Sequence, residues 1–147
     1  MKQGQLKDVI KTEYTKCAKD PAYFMKKYCV VQHPMKGKVP FNLYEFQEKS
    51  LRTFEEHRFN IILKARQLGL STLTAGYSLW MMTFHQDKNI LVIATKQDTA
   101  KNLVTKVRVM HANLPSWLKQ KCVEDNKLSL RYNNGSQVKA VASGEEA

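Results

Sequence analysis

The sequence predicts an α/β fold in which a parallel sheet is flanked by helices. Three observations point that way. A short, partly β-branched apolar run, Phe59 to Leu63, leads into a tight loop and then into the uncharged, largely apolar stretch Ser71 to His85. A second apolar run, Ile90 to Thr95, follows Lys88-Asn89. Strand, helix and strand in that order, within about forty residues, make a βαβ unit whose two strands run parallel.

The flanking elements follow in order. Residues 5 to 18 place Leu6, Val9, Ile10, Tyr14 and Cys17 at near-helical spacing, with Lys7, Lys11, Lys16 and Lys19 off or beside that stripe. Asp20-Pro21 reads as a cap and first turn of a second helix anchored by Phe24 and Tyr28. His33 to Pro40, with Pro34 and Gly37, reads as a loop linking into the core. Leu43 to Glu56 is helical and carries Gln47 ahead of the Phe59–Leu63 strand. Ser71 to His85, apolar around most of its circumference, is a buried helix.

Beyond Thr95, the stripe Ala100, Leu103, Val104, Val107 and Met110 marks an amphipathic helix with Asp98 as candidate cap. Its other face, with Lys101, Lys106 and Arg108, is either a solvated face or a contact for a DNA backbone. Pro115-Ser116-Trp117 interrupts the chain. Leu128 to Tyr132 alternates, and Asn134-Gly135 marks a hairpin turn before Gln137 to Ala142. There is no internal repeat and no low-complexity tract.

At 147 residues the chain is one domain or part of one. No apolar run approaches the ~20 residues that span a bilayer. No cleavable leader is visible at the lysine-rich N-terminus, so the cytoplasm is the expected compartment. Cys17, Cys29 and Cys122 are odd in number and widely spaced, and read as reduced thiols rather than a disulfide frame or zinc site. His33, His57, His85 and His111 are isolated in sequence. With 24 Lys and Arg against 13 Asp and Glu, the net charge of +11 favours polyanionic ligands such as DNA or nucleotide.

The loop carries the chemistry. The phosphate-binding pattern is G-x-x-x-x-G-K-[ST] after a strand and before a helix. In Lys64-Ala65-Arg66-Gln67-Leu68-Gly69-Leu70-Ser71-Thr72, Gly69 and Ser71 occupy the second glycine and the hydroxyl, Leu70 the lysine, and Lys64 the first glycine. Gly69 permits the turn and a close backbone approach, the helix start attracts an anion, and Ser71 or Thr72 offers a hydroxyl to Mg²⁺. Lys64 or Arg66 supplies the missing cation. The plainer alternative is a glycine turn with a helix cap.

These nine residues resemble the variant Walker A motif of large terminase subunits, the ATP-driven DNA-packaging motors of tailed bacteriophages, and most closely the myovirus type. The resemblance runs from about Asp20 to Ala147 through Asp20–Phe24, Phe41–Gln47, Ile90–Lys96 and Asn134–Ser143. It implies a P-loop NTPase (RecA/terminase-like) ATPase domain, here the front part over residues 41–147 after a helical lead-in over 1–40, with a nuclease domain beyond. It also implies ATP and Mg²⁺ as cofactors, Arg66 as loop arginine, Ser71 as the Mg²⁺ and phosphate hydroxyl, and Gln47 on adenine. Its implied partners are double-stranded DNA, the portal and procapsid, the small terminase subunit and further copies in a ring. The implied location is the host cytoplasm, transiently at the portal vertex.

Lys96-Gln97, at the C-terminal end of the second strand where open α/β sheets place ligands, are the better DNA candidates. No acid after Thr72 directly follows a run of four apolar residues, as a Walker B acid would. The chain therefore reads as stopping short of the hydrolytic acids, and is expected to bind nucleotide weakly without turning it over. Glu145-Glu146 reads as solvated charge. Two other functions fit: a non-catalytic DNA-binding protein with a degenerate P-loop fold, and part of a helicase-type ATPase.

Overall fold

The computed structural model describes residues 3–144, and Glu145-Glu146 lie outside them. Its elements are α1 (Gln3–Lys19), α2 (Pro21–Tyr28), β1 (Val30–His33), β2 (Gly37–Pro40), α3 (Glu45–Glu56), α4 (Leu70–Phe84), β3 (Asn89–Ala94), α5 (Gln97–Ala112), β4 (Cys122–Asp125), β5 (Ser129–Tyr132) and β6 (Gln137–Ala142). The chain is α/β, but its four-stranded sheet is mixed. In the order β3-β6-β5-β4, β3 and β6 run parallel, while β5 is antiparallel to β6 and to β4.

Register explains the layering. Ile90 lies beside Val138 and Val92 beside Ala140, while Leu130 flanks Val138 from β5. These residues share one face, and α5 covers it with Val104 and Val107, both fully buried. Successive strand residues point to opposite faces, so Leu91 and Ile93 stand on the other face, 58% and 59% exposed. Helix α4 packs on α5, α2 and α3 and buries Leu73, Ala75, Leu79 and Met82 completely, as a helix apolar on nearly every side requires.

Three expectations are corrected. Phe59–Leu63 is not a strand: it runs without secondary structure, with Ile61 and Leu63 fully exposed. Local sequence favours an extended chain there, but a strand exists only when a neighbour takes up its hydrogen bonds. Edge strand β3, the expected parallel partner, pairs with β6 instead. His33–Pro40 is not a linker but the turn and second strand of a β-hairpin with β1, in which Val31 lies opposite Val39. Its turn is closed by His33 Nδ1, which accepts the Met35 and Lys36 N–H groups at 3.2 Å. Asp98 does not cap α5; Lys96 holds the N-cap position with no side-chain bond.

Other local signals hold. Asp20 accepts the Ala22 N–H at 2.9 Å and caps α2. At the Asn134-Gly135 turn Gly135 has φ +84°, and a Cβ there would fall 2.0 Å from Asp87 Oδ1. Asn134 Nδ2 donates to the Met82 carbonyl at 2.8 Å and Ser136 Oγ to that of His85 at 2.7 Å. The β5–β6 turn is thereby tied to the C-terminal end of α4. Among the described residues all three cysteines are free, and no helix is long and apolar enough to cross a membrane.

Two polar clusters fasten the periphery. Glu13 on α1 accepts from Lys27 Nζ at 2.7 Å, Tyr28 Oη at 2.7 Å and Tyr23 Oη at 2.9 Å on α2. The Lys27 bond foremost, then that of Tyr28, lowers the Glu13 carboxyl to about 2. A carboxyl held below its unfolded value stabilises the fold above that value and loses its effect as pH falls through the folded one. The Glu13 contribution is thus full above about pH 4.5 and fades towards pH 2. Thermal melts of wild type and Glu13→Gln should differ most at neutral pH and converge towards pH 2; a gap that stays constant would refute this.

The second cluster joins α5, β4 and β5. Burial raises the Tyr132 hydroxyl's pKa, and this hydroxyl shares a hydrogen bond of 2.7 Å with His111 Nδ1. His111 Nε2 lies 3.3 Å from Cys122 Sγ. Burial pushes the Cys122 thiol up and the His111 imidazole down, which disfavours a thiolate–imidazolium pair.

Candidate nucleotide-binding loop

Between Leu63 and α4 the chain adopts two left-handed residues either side of Leu68, Gln67 (φ +63°) and Gly69 (φ +69°). Turns of this kind aim successive N–H groups to one side and make anion-binding concavities. Gly69 is the N-cap of α4 with no side-chain cap. The first backbone bond into the helix is from Leu73 N–H to the Gly69 carbonyl, at 2.9 Å. Among the described residues the N–H groups of Leu70, Ser71 and Thr72 therefore have no backbone acceptor and point out of the helix start, where the dipole adds partial positive charge.

The loop rests on α3. Gln47, 2% exposed, accepts the Tyr44 N–H on Oε1 at 3.0 Å and directs Nε2 to the carbonyls of Leu68 at 3.3 Å and Gly69 at 3.5 Å. Its amide thus couples the start of α3 to the loop across more than twenty residues. Tyr44 and Phe46 stack beside it with ring centroids 5.7 Å apart, both exposed.

Side chains around the loop divide by role. Leu70 is 8% exposed and belongs to the core, so the position that carries lysine in the usual pattern holds a packing side chain. Lys64, Ala65, Arg66, Gln67, Leu68 and Ser71 are exposed. Lys64 Nζ donates to the Ala65 carbonyl at 3.2 Å. Thr72 is half-buried, and its Oγ1 receives Lys106 Nζ from α5 at 3.3 Å. Helical periodicity had assigned Lys106 to the outer face of α5; only the packing of α4 on α5 reveals the contact. Arg108, on the same helix, is spent on Asp125 at 2.5 Å.

Lys96 and Gln97 are exposed where β3 ends and α5 begins, at the C-terminal end of the parallel pair. Among the described residues no group of three His, Cys, Asp or Glu side chains is placed to hold a metal. Ser71 is the hydroxyl the loop presents to solvent.

No family model matches the chain. Among solved structures, the crystal structure of the HK97 bacteriophage large terminase superimposes with a TM-score of 0.69 over 88% of this chain, at 19% identity. The match spans 28% of that longer chain. At that identity the likeness is one of fold: over most of its length this chain has the fold of part of a bacteriophage large terminase.

Proposed function

We propose that this chain is the nucleotide-binding front part of a DNA-packaging ATPase. The observation that carries the reading is the loop: two left-handed residues, a glycine N-cap and three unclaimed N–H groups at the start of α4, in a fold shared with a large terminase. In this reading the triphosphate of ATP sits on the N–H groups of Leu70, Ser71 and Thr72. The Ser71 hydroxyl serves Mg²⁺, and Arg66 or Lys64 folds over the phosphates from the loop's outer side. Gln47 sets the loop's height against α3, and its second Oε1 lone pair is the acceptor left for the amino group of adenine. Lys96 and Gln97 lie towards duplex DNA. In the whole motor, hydrolysis would drive double-stranded DNA through a portal into a procapsid, with other copies in a ring and the small terminase subunit as partner.

Calorimetric titration of the 147-residue chain with Mg²⁺-ATP tests this. Saturable binding that weakens in Arg66→Ala or Lys64→Ala supports it, and the same samples are expected to release no phosphate. No binding heat, together with salt-dependent duplex binding indifferent to ATP, would favour the non-catalytic DNA-binding alternative, for which the net charge of +11 speaks.

A further inference from the structure

A half-buried ammonium without a carboxylate is costly, and Lys106 is one. None of the ion pairs among the described residues includes it, and burial pushes its pKa down. Among the described residues its hydrogen-bond partner is a neutral hydroxyl, Thr72 Oγ1. It also sits beside a helix start, whose partial positive charge opposes a second cation. The ammonium is not sealed in: with Thr72 it lines a cleft of about 380 Å³ bordered by Val30, Val31 and Met110. An ammonium has three donors, so two remain after Thr72.

Resting on the nucleotide reading above, we propose that Lys106 is the cation that serves the loop in place of the absent lysine at position 70, reaching the phosphates from α5 across Thr72. Thr72 is the third residue of α4 and carries one of the unclaimed N–H groups, so Lys106 Nζ, 3.3 Å from its Oγ1, stands beside the first turn of the helix. Lys64 and Arg66 stand on the solvent side of the loop; Lys106 approaches from within the fold. An arriving phosphate would receive a charge-assisted bond and relieve an uncompensated charge. A lysine kept only for packing would gain nothing from a ligand.

The test is Mg²⁺-ATP and tripolyphosphate titration of wild type, Lys106→Met and Lys106→Arg, with thermal melts of each without ligand. Loss of a charge-assisted hydrogen bond corresponds to a roughly tenfold or greater fall in affinity, expected for Lys106→Met with both ligands and largely restored by Lys106→Arg. The ligand-free melting temperature of Lys106→Met should be unchanged or higher, because a buried unpaired charge has gone. Wild-type affinity in Lys106→Met, or an affinity loss matched by a fall in ligand-free stability, overturns the assignment while the nucleotide reading stands. Absence of binding in wild type removes both.

Discussion

Gly69→Ala is expected to cost the loop its ligand, lowering Mg²⁺-ATP affinity by an order of magnitude or more while the fold survives. Two penalties coincide. Alanine at φ +69° enters left-handed space, at about 1–2 kcal/mol. Its Cβ would also stand 2.8 Å from Gln47 Nε2. That atom ends a flexible side chain, but it is 2% exposed and already committed to two loop carbonyls. It can yield only by releasing them, and then the N–H groups of residues 70–72 lose their aim. For a chain of this size a loss of about 2 kcal/mol lowers the melting temperature by roughly 4–8 °C. Adding Gln47→Ala removes the collision but not the strained φ, so the double variant should be no less stable than the two single changes predict. Gly69→Ala binding within twofold of wild type would mean that the loop does not hold phosphate through this backbone.

Local signals were legible where the physics is local. The Asp20 cap, the α5 stripe and the Asn134-Gly135 turn each depend on residues a few positions apart, and each is found. What failed depends on pairing at a distance. Phe59–Leu63 has strand composition, yet no neighbour supplies its ladder, so its apolar side chains stand in solvent. The hairpin β1–β2 was hidden for the opposite reason: four residues a side are too few to display alternation, and the Pro34 and Gly37 turn signals outweighed them. The candidate site divides the same way. Gly69 and Ser71 are readable from spacing alone. The contact of Lys106 with Thr72, 34 residues apart, and that of Gln47 with Gly69, 22 apart, come only from the folded arrangement of α3, α4 and α5.

Trp80→Ala should be among the most destabilising single changes, and a proline upstream is part of the reason. In an α-helix the carbonyl of residue 17 accepts the N–H of residue 21; residue 21 is Pro21, which has none. Cys17 is fully buried, so its carbonyl needs another donor, and Trp80 Nε1–H supplies it at 2.8 Å. The indole also stacks on Tyr77 with centroids 5.6 Å apart and meets His85 edge-on at 4.9 Å. Truncation to alanine opens a large cavity and orphans that carbonyl, at about 3–5 kcal/mol. Trp80→Phe keeps most of the volume and loses only the donor, at roughly 1–3 kcal/mol. Denaturant unfolding of both variants separates the packing from the hydrogen bond. The same data show whether α1 and α2 fold with the rest, because the buried cluster runs from Cys17 and Phe24 through α4 to β6 without a break. One transition that moves as a whole in Trp80→Ala is the expected result. A variant that shifts only an early, separate transition would make residues 1–40 an independent body resting on α4, and the Trp80–Cys17 bond a latch between two units rather than part of one core.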